Sequence, residues 1–177
     1  SINANKNIHT TTKACELLIK QGYEVSYKII GKIADKKYND FINKYSFIKY
    51  IPYCQKEDLI NHYRNSDIFV MPSKHETFGL VYAEAMSQGL PIIYTRGQGF
   101  DGQFDDGEVG YSVQYDSAEE IVDRVKDILD KYEIISRNCI KKVDRFDWDK
   151  IAKEYIDIYK GICLNWLQKA FTTYKIE

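Results

Sequence analysis

The stretch MPSKHETFGLVYAEAMSQGLPII, residues 71–93, decides the fold of this chain. It begins within an apolar run, DIFVMP at residues 67–72, and ends in a second one, LPIIY at residues 90–94. Between the two runs lie a polar loop and a helical segment that ends at Gly89. Continuous apolar runs of this length are typical of strands that helices cover on both faces. The stretch therefore predicts a strand, a loop, a helix and a second strand, the repeating unit of a parallel sheet.

The same alternation continues on both sides of this unit. Further strands are predicted at residues 25–30, 47–51 and 110–113. Helices are predicted at residues 10–20, 33–45, 56–64, 78–88, 118–132, 133–145 and 149–173. Repeated alternation implies right-handed crossovers and a parallel sheet. The predicted fold class is therefore α/β, a doubly wound, mostly parallel, Rossmann-like sheet, with residues 1–177 in a single domain.

Three loops follow the carboxyl ends of predicted strands. They are GKIAD at residues 31–35, PSKHETFG at residues 72–79 and TRGQGFDGQFDDGEVG at residues 95–110. Ligands of doubly wound sheets bind beyond the carboxyl ends of the strands. We therefore expect the three loops to meet in one cleft.

Composition limits the partners and the location of the protein. With 25 basic and 26 acidic residues the formal net charge is -1, which gives no overall field for nucleic acid. The four cysteines form no CxxC or Cys/His pattern, which predicts reduced thiols and no zinc site. The apolar runs are too short to span a membrane, and the polar start SINANKNIHT predicts no signal peptide. These features favour the cytoplasm.

The loop at residues 72–79 is a candidate anion site. Glu76 or Thr77 is expected to cap a helix whose first turn contains Gly79. The backbone N–H groups of Phe78, Gly79 and Leu80 would then point into the cleft, where donors and the helix dipole favour a diphosphate. The alternative is a capped helix with a flexible glycine and no ligand.

Glu76 and Glu84 are separated by seven residues, one before the helix and one inside it. Both carboxylates can face one ligand at different depths, because the helix repeats every 3.6 residues. Carboxylates accept paired hydrogen bonds from sugar hydroxyls, so the two residues fit a sugar and a ribose. Glu84 as a solvated residue on a surface helix is the alternative.

The segment DIFVMPSKHETFGLVYAEAMSQGLPII, residues 67–93, closely resembles the signature of the group-one family of retaining glycosyltransferases. Their GT-B fold has a Rossmann-like C-terminal domain with a Glu-x7-Glu motif, which Glu76 and Glu84 match. Further similarity lies in KN at residues 6–7, IIGK at 29–32, DLINHYRNSDIFVMPS at 58–73, DGEVGYSV at 106–113 and FDWDKIAKEYIDIY at 146–159.

The resemblance implies a role for each matching residue. Glu76 would bind hydroxyls of the donor sugar, and Glu84 would bind the ribose. Lys6 would neutralise the phosphates as the leaving group departs, with a solvated terminal lysine as the alternative. The donor diphosphate would be held by the backbone at Thr77, Phe78, Gly79 and Leu80.

The base-binding region matches the family only in part. Gly31 and Lys32 stand in the loop beside the base and ribose, but a second glycine is missing, and a solvated Lys32 is the alternative. Proline at position 52 removes a backbone donor, so the amide or carbonyl of Tyr53 is expected to meet the base. Uridine, guanosine and adenosine stay open, with UDP- or GDP-linked donors favoured over ADP-linked ones.

The resemblance implies transfer of a sugar from a nucleotide-diphosphate-sugar to an acceptor hydroxyl with retention, in bacterial surface polysaccharide or glycan biosynthesis. No metal and no other cofactor is expected. The N-terminal acceptor domain is expected outside this chain, with the last helix, residues 149–173, packing toward it. The chain alone would then be inactive. The family usually has an arginine shortly before the lysine, and in this chain that position is occupied by Ser1. Any contact with the inner face of the membrane would be made by the missing domain.

Three alternatives belong to other classes. A non-catalytic nucleotide-sugar binding module would keep the same pocket without turnover. A nucleotide-sugar epimerase shares the architecture, but the Glu-x7-Glu motif is not expected there. A signalling domain would need a phosphoacceptor aspartate at the strand end, where Pro72 stands instead.

Overall fold

The structure is a computed structural model that describes residues 2–173, and the side chains of residues 2–162. Within these residues, the strands are β1 (Tyr27–Ile30), β2 (Ile48–Ile51), β3 (Phe69–Val70), β4 (Ile92–Thr95) and β5 (Gly110–Val113). The helices are α1 (Ile8–Lys20), α2 (Lys36–Ile42), α3 (Lys56–Arg64), α4 (Leu80–Ser87), α5 (Ala118–Asp130), α6 (Tyr132–Lys142) and α7 (Trp148–Thr173). Short 3-10 turns cover Ala4–Lys6 and Val143–Phe146.

Every pair of neighbouring strands is parallel within the described part of the chain. β1 pairs with β2, and β4 lies between β3 and β5 in a second ladder. Ile92 of β4 stands opposite Phe69 on one side and Gly110 on the other. The predicted α/β class with parallel strands is confirmed, although the hydrogen bonds form ladders of two and three strands.

The most deeply buried layer lies around β4 and β5. All four residues of each of these strands are buried, as expected where helices cover both faces of a sheet. Helix α5 packs against both β5 and α1, while α4 contacts β4 and α6. The ring of Phe100 lies 4.8 Å from that of Tyr82 and 5.1 Å from that of Tyr94, measured between centroids. This aromatic cluster supports the loop that follows β4.

A second hydrophobic cluster lies in the first third of the chain. Its buried members are Ile2, Ile8, Ile29, Tyr38, Ile42 and Ile48. They come from the N-terminal segment, α1, β1, α2 and β2, so the N-terminal residues belong to the core.

Some predicted boundaries agree with the structure and others do not. Helix α3 and strand β5 occupy the predicted residues. The strand predicted at residues 67–72 covers only Phe69–Val70, and the helix predicted at residues 33–45 covers only Lys36–Ile42. Asp35 caps α2 by accepting a hydrogen bond from the Lys37 N–H, which fixes the start of this helix inside the predicted range.

The described residues form two compact units, the first ending at Lys142 and the second beginning at Val143. In the second unit, Asp147 accepts hydrogen bonds from the Asp149 and Lys150 N–H groups and starts α7. This helix exposes large apolar side chains: Trp148, Tyr155, Ile156, Ile158, Tyr159 and Ile162. The packing of this helix toward an acceptor domain stays a prediction. The side chains after residue 162 lie outside the described set. Among the described helices, none has the length and apolar character needed to cross a membrane.

Candidate functional site

The N-terminal segment is built into the fold beside the loop at residues 31–35. The Ile2 N–H donates to the Lys32 carbonyl (2.8 Å), and the Ala34 N–H donates to the Ile2 carbonyl (3.0 Å). The Lys6 side chain also forms an ion pair with Glu76, which gives it a fixed partner. The alternative of a solvated terminal Lys6 is therefore wrong.

Lys6 and Glu76 form the charged centre of the candidate site. The Lys6 Nζ lies 3.1 Å from the Glu76 Oε2, and the two side chains are 30 % and 15 % exposed. An ion pair that is partly withdrawn from water is screened less than one at the surface. The fold therefore holds one positive and one negative group at the carboxyl end of β3.

Asparagines on both sides of Lys6 attach it to the loop after β3. The Asn5 Nδ2 donates to the His75 carbonyl and the Asn5 Oδ1 accepts from the His75 N–H, both at 2.8 Å. Asn7, buried and left-handed at φ 50, donates through Nδ2 to the carbonyls of Pro72 (3.2 Å) and Tyr115. Asparagine adopts this left-handed conformation more readily than most residues, because its short side chain can hydrogen-bond nearby groups. These bonds set the distance between Lys6 and Glu76.

The third loop holds Glu76 from its other side. The Glu76 N–H donates to the Gln98 Oε1 (3.0 Å), and the Gly99 N–H donates to the Glu76 carbonyl (2.9 Å). A Cβ on Gly99 would overlap the carbonyl oxygen of Thr77, so the two loops approach closely because residue 99 is glycine. Two of the three predicted loops therefore meet directly, and Ile2 links the loop at residues 31–35 to Lys6 along the N-terminal segment.

Helix α4 starts later than the sequence predicts. Gly79 is its N-cap residue, with φ 76 and ψ 52, and no side chain caps the helix. The prediction that Glu76 or Thr77 caps the helix is wrong, because the left-handed turn at Gly79 separates these residues from it. Of the three predicted amides, that of Leu80 belongs to the first turn of α4, while Phe78 and Gly79 precede it.

Glu84 lies on α4 as predicted, and its side chain meets a tyrosine from α3. The Tyr63 Oη donates to the Glu84 Oε2 over a long 3.5 Å. Burial, followed by the negative charge of Glu84, raises the pKa of the Tyr63 hydroxyl above its usual value. The Tyr63 hydroxyl is protonated at neutral pH, as tyrosines with an ordinary pKa of about 10 also are, and it can donate to Glu84.

A cavity of about 780 Å³ joins several of the predicted residues. Lys6, Gly31, Tyr53 and Glu84 line it, together with residues of β1 and β3. Its volume falls within the range of about 300–1,000 Å³ typical of small-molecule sites. The Tyr53 side chain is 74 % exposed, so its ring is open to a ligand. Lys6 connects this cavity to Glu76.

The remaining predicted residues lie outside the lining of the cavity. Lys32 is exposed and contacts the N-terminal segment through its carbonyl. The lining also does not include Glu76, Thr77, Phe78, Gly79 and Leu80. The structure thus brings Lys6 and Glu76 into direct contact and starts α4 at Leu80, four residues after Glu76.

Two aspartates of the third loop have structural partners. The Asp101 Oδ2 accepts from the Gly97 N–H (2.6 Å), and the Asp106 carboxylate accepts from the Ser112 N–H (2.8 Å) and its hydroxyl (3.3 Å). Within residues 2–173, no group of three or more His, Cys, Asp or Glu side chains is arranged to hold a metal ion. These carboxylates therefore shape the loop.

The family of the chain follows from a comparison with known proteins. Residues 1–146 match the model of the family described as glycosyl transferases group 1. The chain belongs to this family. A D-inositol 3-phosphate glycosyltransferase from Saccharomonospora viridis is 30 % identical over 115 residues, covering 63 % of this chain and 27 % of that protein. The chain thus spans well under half the length of this group 1 relative.

Solved structures confirm the fold of this group 1 chain. The C-terminal domain of the group 1 family protein LpcC from Francisella tularensis has a TM-score of 0.66 at 21 % identity, covering 83 % of this chain and 82 % of that one. Anabaena HepE in complex with UDP-glucose has a TM-score of 0.77 at 17 % identity, covering 90 % of this chain and 46 % of that one. Both support the prediction of a Rossmann-like C-terminal half.

Proposed function

We propose that this chain is the donor-binding half of a retaining glycosyltransferase that moves a sugar from a nucleotide-diphosphate-sugar to an acceptor hydroxyl. The observation that carries the proposal is the Lys6–Glu76 pair, 3.1 Å apart, with Glu76 four residues before the first residue of α4 and Lys6 in the lining of the cavity. A cation and a helix N-terminus together suit a diphosphate, and a carboxylate suits sugar hydroxyls.

Donor binding would exchange the partners of the ion pair. Without a ligand, Lys6 and Glu76 neutralise each other. With the donor in place, the Lys6 ammonium would turn to the diphosphate and the Glu76 carboxylate would accept hydroxyls of the sugar. Glu84 would accept the ribose hydroxyls, and Gly31 and Tyr53 would meet the base.

Lys6 would act on the step in which the bond between the sugar and the diphosphate breaks. Negative charge then grows on the leaving nucleoside diphosphate, and a fixed cation stabilises this charge more strongly than it stabilises the bound donor. The sugar is transferred to the acceptor hydroxyl, whose proton is released, and the anomeric configuration is retained. We propose that these groups hold the diphosphate without a metal ion or another cofactor.

The donor is proposed to be UDP- or GDP-linked. The similar HepE structure contains UDP-glucose, which supports the UDP alternative for this chain. The acceptor is proposed to bind to an N-terminal domain outside this sequence. A cytoplasmic location and a role in bacterial surface polysaccharide or glycan synthesis stay predictions.

A nucleotide titration of the 177-residue chain tests the proposal. We expect saturable amide shifts in NMR spectra with UDP or GDP, and weaker or no shifts with ADP. Replacement of Glu84 by alanine should weaken binding of that nucleotide roughly tenfold or more, because hydrogen bonds to a charged group contribute about 1.5–3 kcal/mol.

Glu133→Ala is the matched control, since Glu133 is an exposed glutamate in the first turn of α6. This control should bind like the original chain. Saturable binding that Glu84→Ala leaves intact would contradict the role of Glu84. The absence of shifts with all three nucleotides in a folded sample would contradict nucleotide binding by this chain.

A further inference from the structure

The loop after β4 fixes both backbone polar groups of Glu76. Gln98 Oε1 accepts from the Glu76 N–H at 3.0 Å, and the Gly99 N–H donates to the Glu76 carbonyl at 2.9 Å. The N–H precedes the Cα of Glu76 and the carbonyl follows it, so the two bonds restrain the backbone on both sides. They therefore restrain the direction in which the Glu76 side chain leaves the chain.

Gln98 is itself held in a defined turn. Its carbonyl accepts from the Asp101 N–H (2.8 Å), and the Asp101 carboxylate accepts from the Gly97 N–H (2.6 Å). The Thr95 hydroxyl, just before this turn, donates to the buried carbonyl of Ser73 (2.6 Å). The turn that carries Gln98 is thus anchored to the loop that carries Glu76, which lets one side chain position another.

We propose that Gln98 is a positioning residue that aims the Glu76 carboxylate at the donor sugar. This inference rests on the proposed function, in which Glu76 recognises the sugar. Lys6 pulls the carboxylate from one side at 3.1 Å, and Gln98 supplies a restraint on the backbone that does not depend on charge. Without Gln98, the carboxylate would follow Lys6 toward the diphosphate when a donor binds, and its contact with the sugar would weaken. Binding of the nucleotide part would not change.

The test compares Gln98→Met with Gln98→Glu in the 177-residue chain. Methionine keeps the length of the side chain but removes the acceptor, whereas glutamate keeps an acceptor oxygen. Calorimetry would give the dissociation constants of UDP and UDP-glucose, or of GDP and GDP-mannose where the titration selects GDP. Gln114→Met is the control, because Gln114 is exposed and its contact with Glu120 runs through its backbone N–H.

In the original chain and the control, we expect the nucleotide sugar to bind more tightly than the nucleotide. Gln98→Met should reduce this difference by roughly fivefold, the effect of one hydrogen bond, with the affinity for the nucleotide within about twofold of the original. Gln98→Glu should restore most of the difference in affinity between the nucleotide sugar and the nucleotide. Amide hydrogen exchange should show faster exchange of the Glu76 N–H in the methionine variant only.

Other results would contradict the role of Gln98, the role of Glu76 or the proposed function. If Gln98→Met keeps the full preference for the nucleotide sugar, the positioning role is overturned and the proposed function stands. The role is also overturned if the Glu76 N–H exchanges at its original rate in that variant. If the original chain binds the nucleotide but gains nothing from the sugar, the role of Glu76 falls and that of Gln98 with it. If no nucleotide or nucleotide sugar binds, the proposed function itself is overturned.

Discussion

Replacing Lys6 with alanine is expected to lower kcat of the proposed glycosyltransferase by about 10²–10³-fold, the usual effect of removing one preorganised group that stabilises developing charge. The Lys6 side chain is 30 % exposed, its Nζ lies 3.1 Å from Glu76, and the asparagines on both sides hold its backbone in place. Its charge is therefore in place before the reaction begins. The measurement is the steady-state rate of sugar transfer at saturating donor, with the melting temperature recorded to show that the variant folds.

Lys13→Ala is a close control for this variant. Lys13 also pairs with a glutamate at 3.1 Å, but its side chain and that of Glu119 are 60 % and 64 % exposed. An exposed ion pair contributes little to stability, because water and salt screen it, and this one takes no part in the proposed site. We expect its kcat within about twofold of the original, since surface substitutions away from a site change stability little. A Lys6→Ala enzyme that is as fast as the Lys13→Ala enzyme would contradict the role of Lys6.

The order of helices and strands could be predicted because burial leaves a pattern in the sequence. Helix α3 alternates polar and apolar residues at helical spacing, and β5 is bounded by turn residues, so both were found with their boundaries. The strand at β3 was predicted too long, because an apolar run reports burial and not hydrogen bonding. Within that run, Phe69 and Val70 stand opposite Ile92 and Ile93 of β4, and the Met71 N–H adds one hydrogen bond to the Ile93 carbonyl.

The start of α4 could not be predicted from capping preferences. Thr77 is a preferred N-cap residue and Glu76 is not, but both lie in a loop whose backbone hydrogen bonds run to the loop after β4. Gly79 then takes a left-handed conformation and becomes the N-cap residue. Tertiary contacts therefore overrode a local preference at the position where the candidate site lies.

Glu76 and Glu84 were indicated by their spacing on a loop and a helix, Lys6 only by the resemblance to a family, and the residues that support them were missed. Asn5 contacts His75 across 70 positions of sequence, and Gln98 contacts Glu76 across 22. Bonds from side chains to distant backbone groups follow no periodic pattern, so a single sequence carries no signal for them. The only hint for Gln98 was its place in a loop at the carboxyl edge of the sheet.

Replacing Gly99 with alanine is expected to destabilise the fold and to weaken donor binding together. The new Cβ would overlap the carbonyl oxygen of Thr77 and approach the Glu76 carbonyl, which the Gly99 N–H now meets at 2.9 Å. Both contacts are with backbone, so the loops themselves must separate. Overpacking of this kind costs about 1–3 kcal/mol. The melting temperature should fall by roughly 2–12 °C, since 1 kcal/mol corresponds to about 2–4 °C in a domain of this size.

Gly22→Ala, in the turn after α1 and outside the two loops, separates this collision from the cost of losing a glycine. Gly22 has φ 92, a conformation that alanine adopts with strain, but a Cβ there meets no atom within 4 Å. It should therefore lose stability through backbone strain of about 1–3 kcal/mol while keeping its affinity for the nucleotide sugar. Gly99→Ala should lose both, because separating the loops also breaks the bonds that hold Glu76. If the two variants lose stability but bind the nucleotide sugar equally well, the contact between the loops stabilises the fold without orienting Glu76.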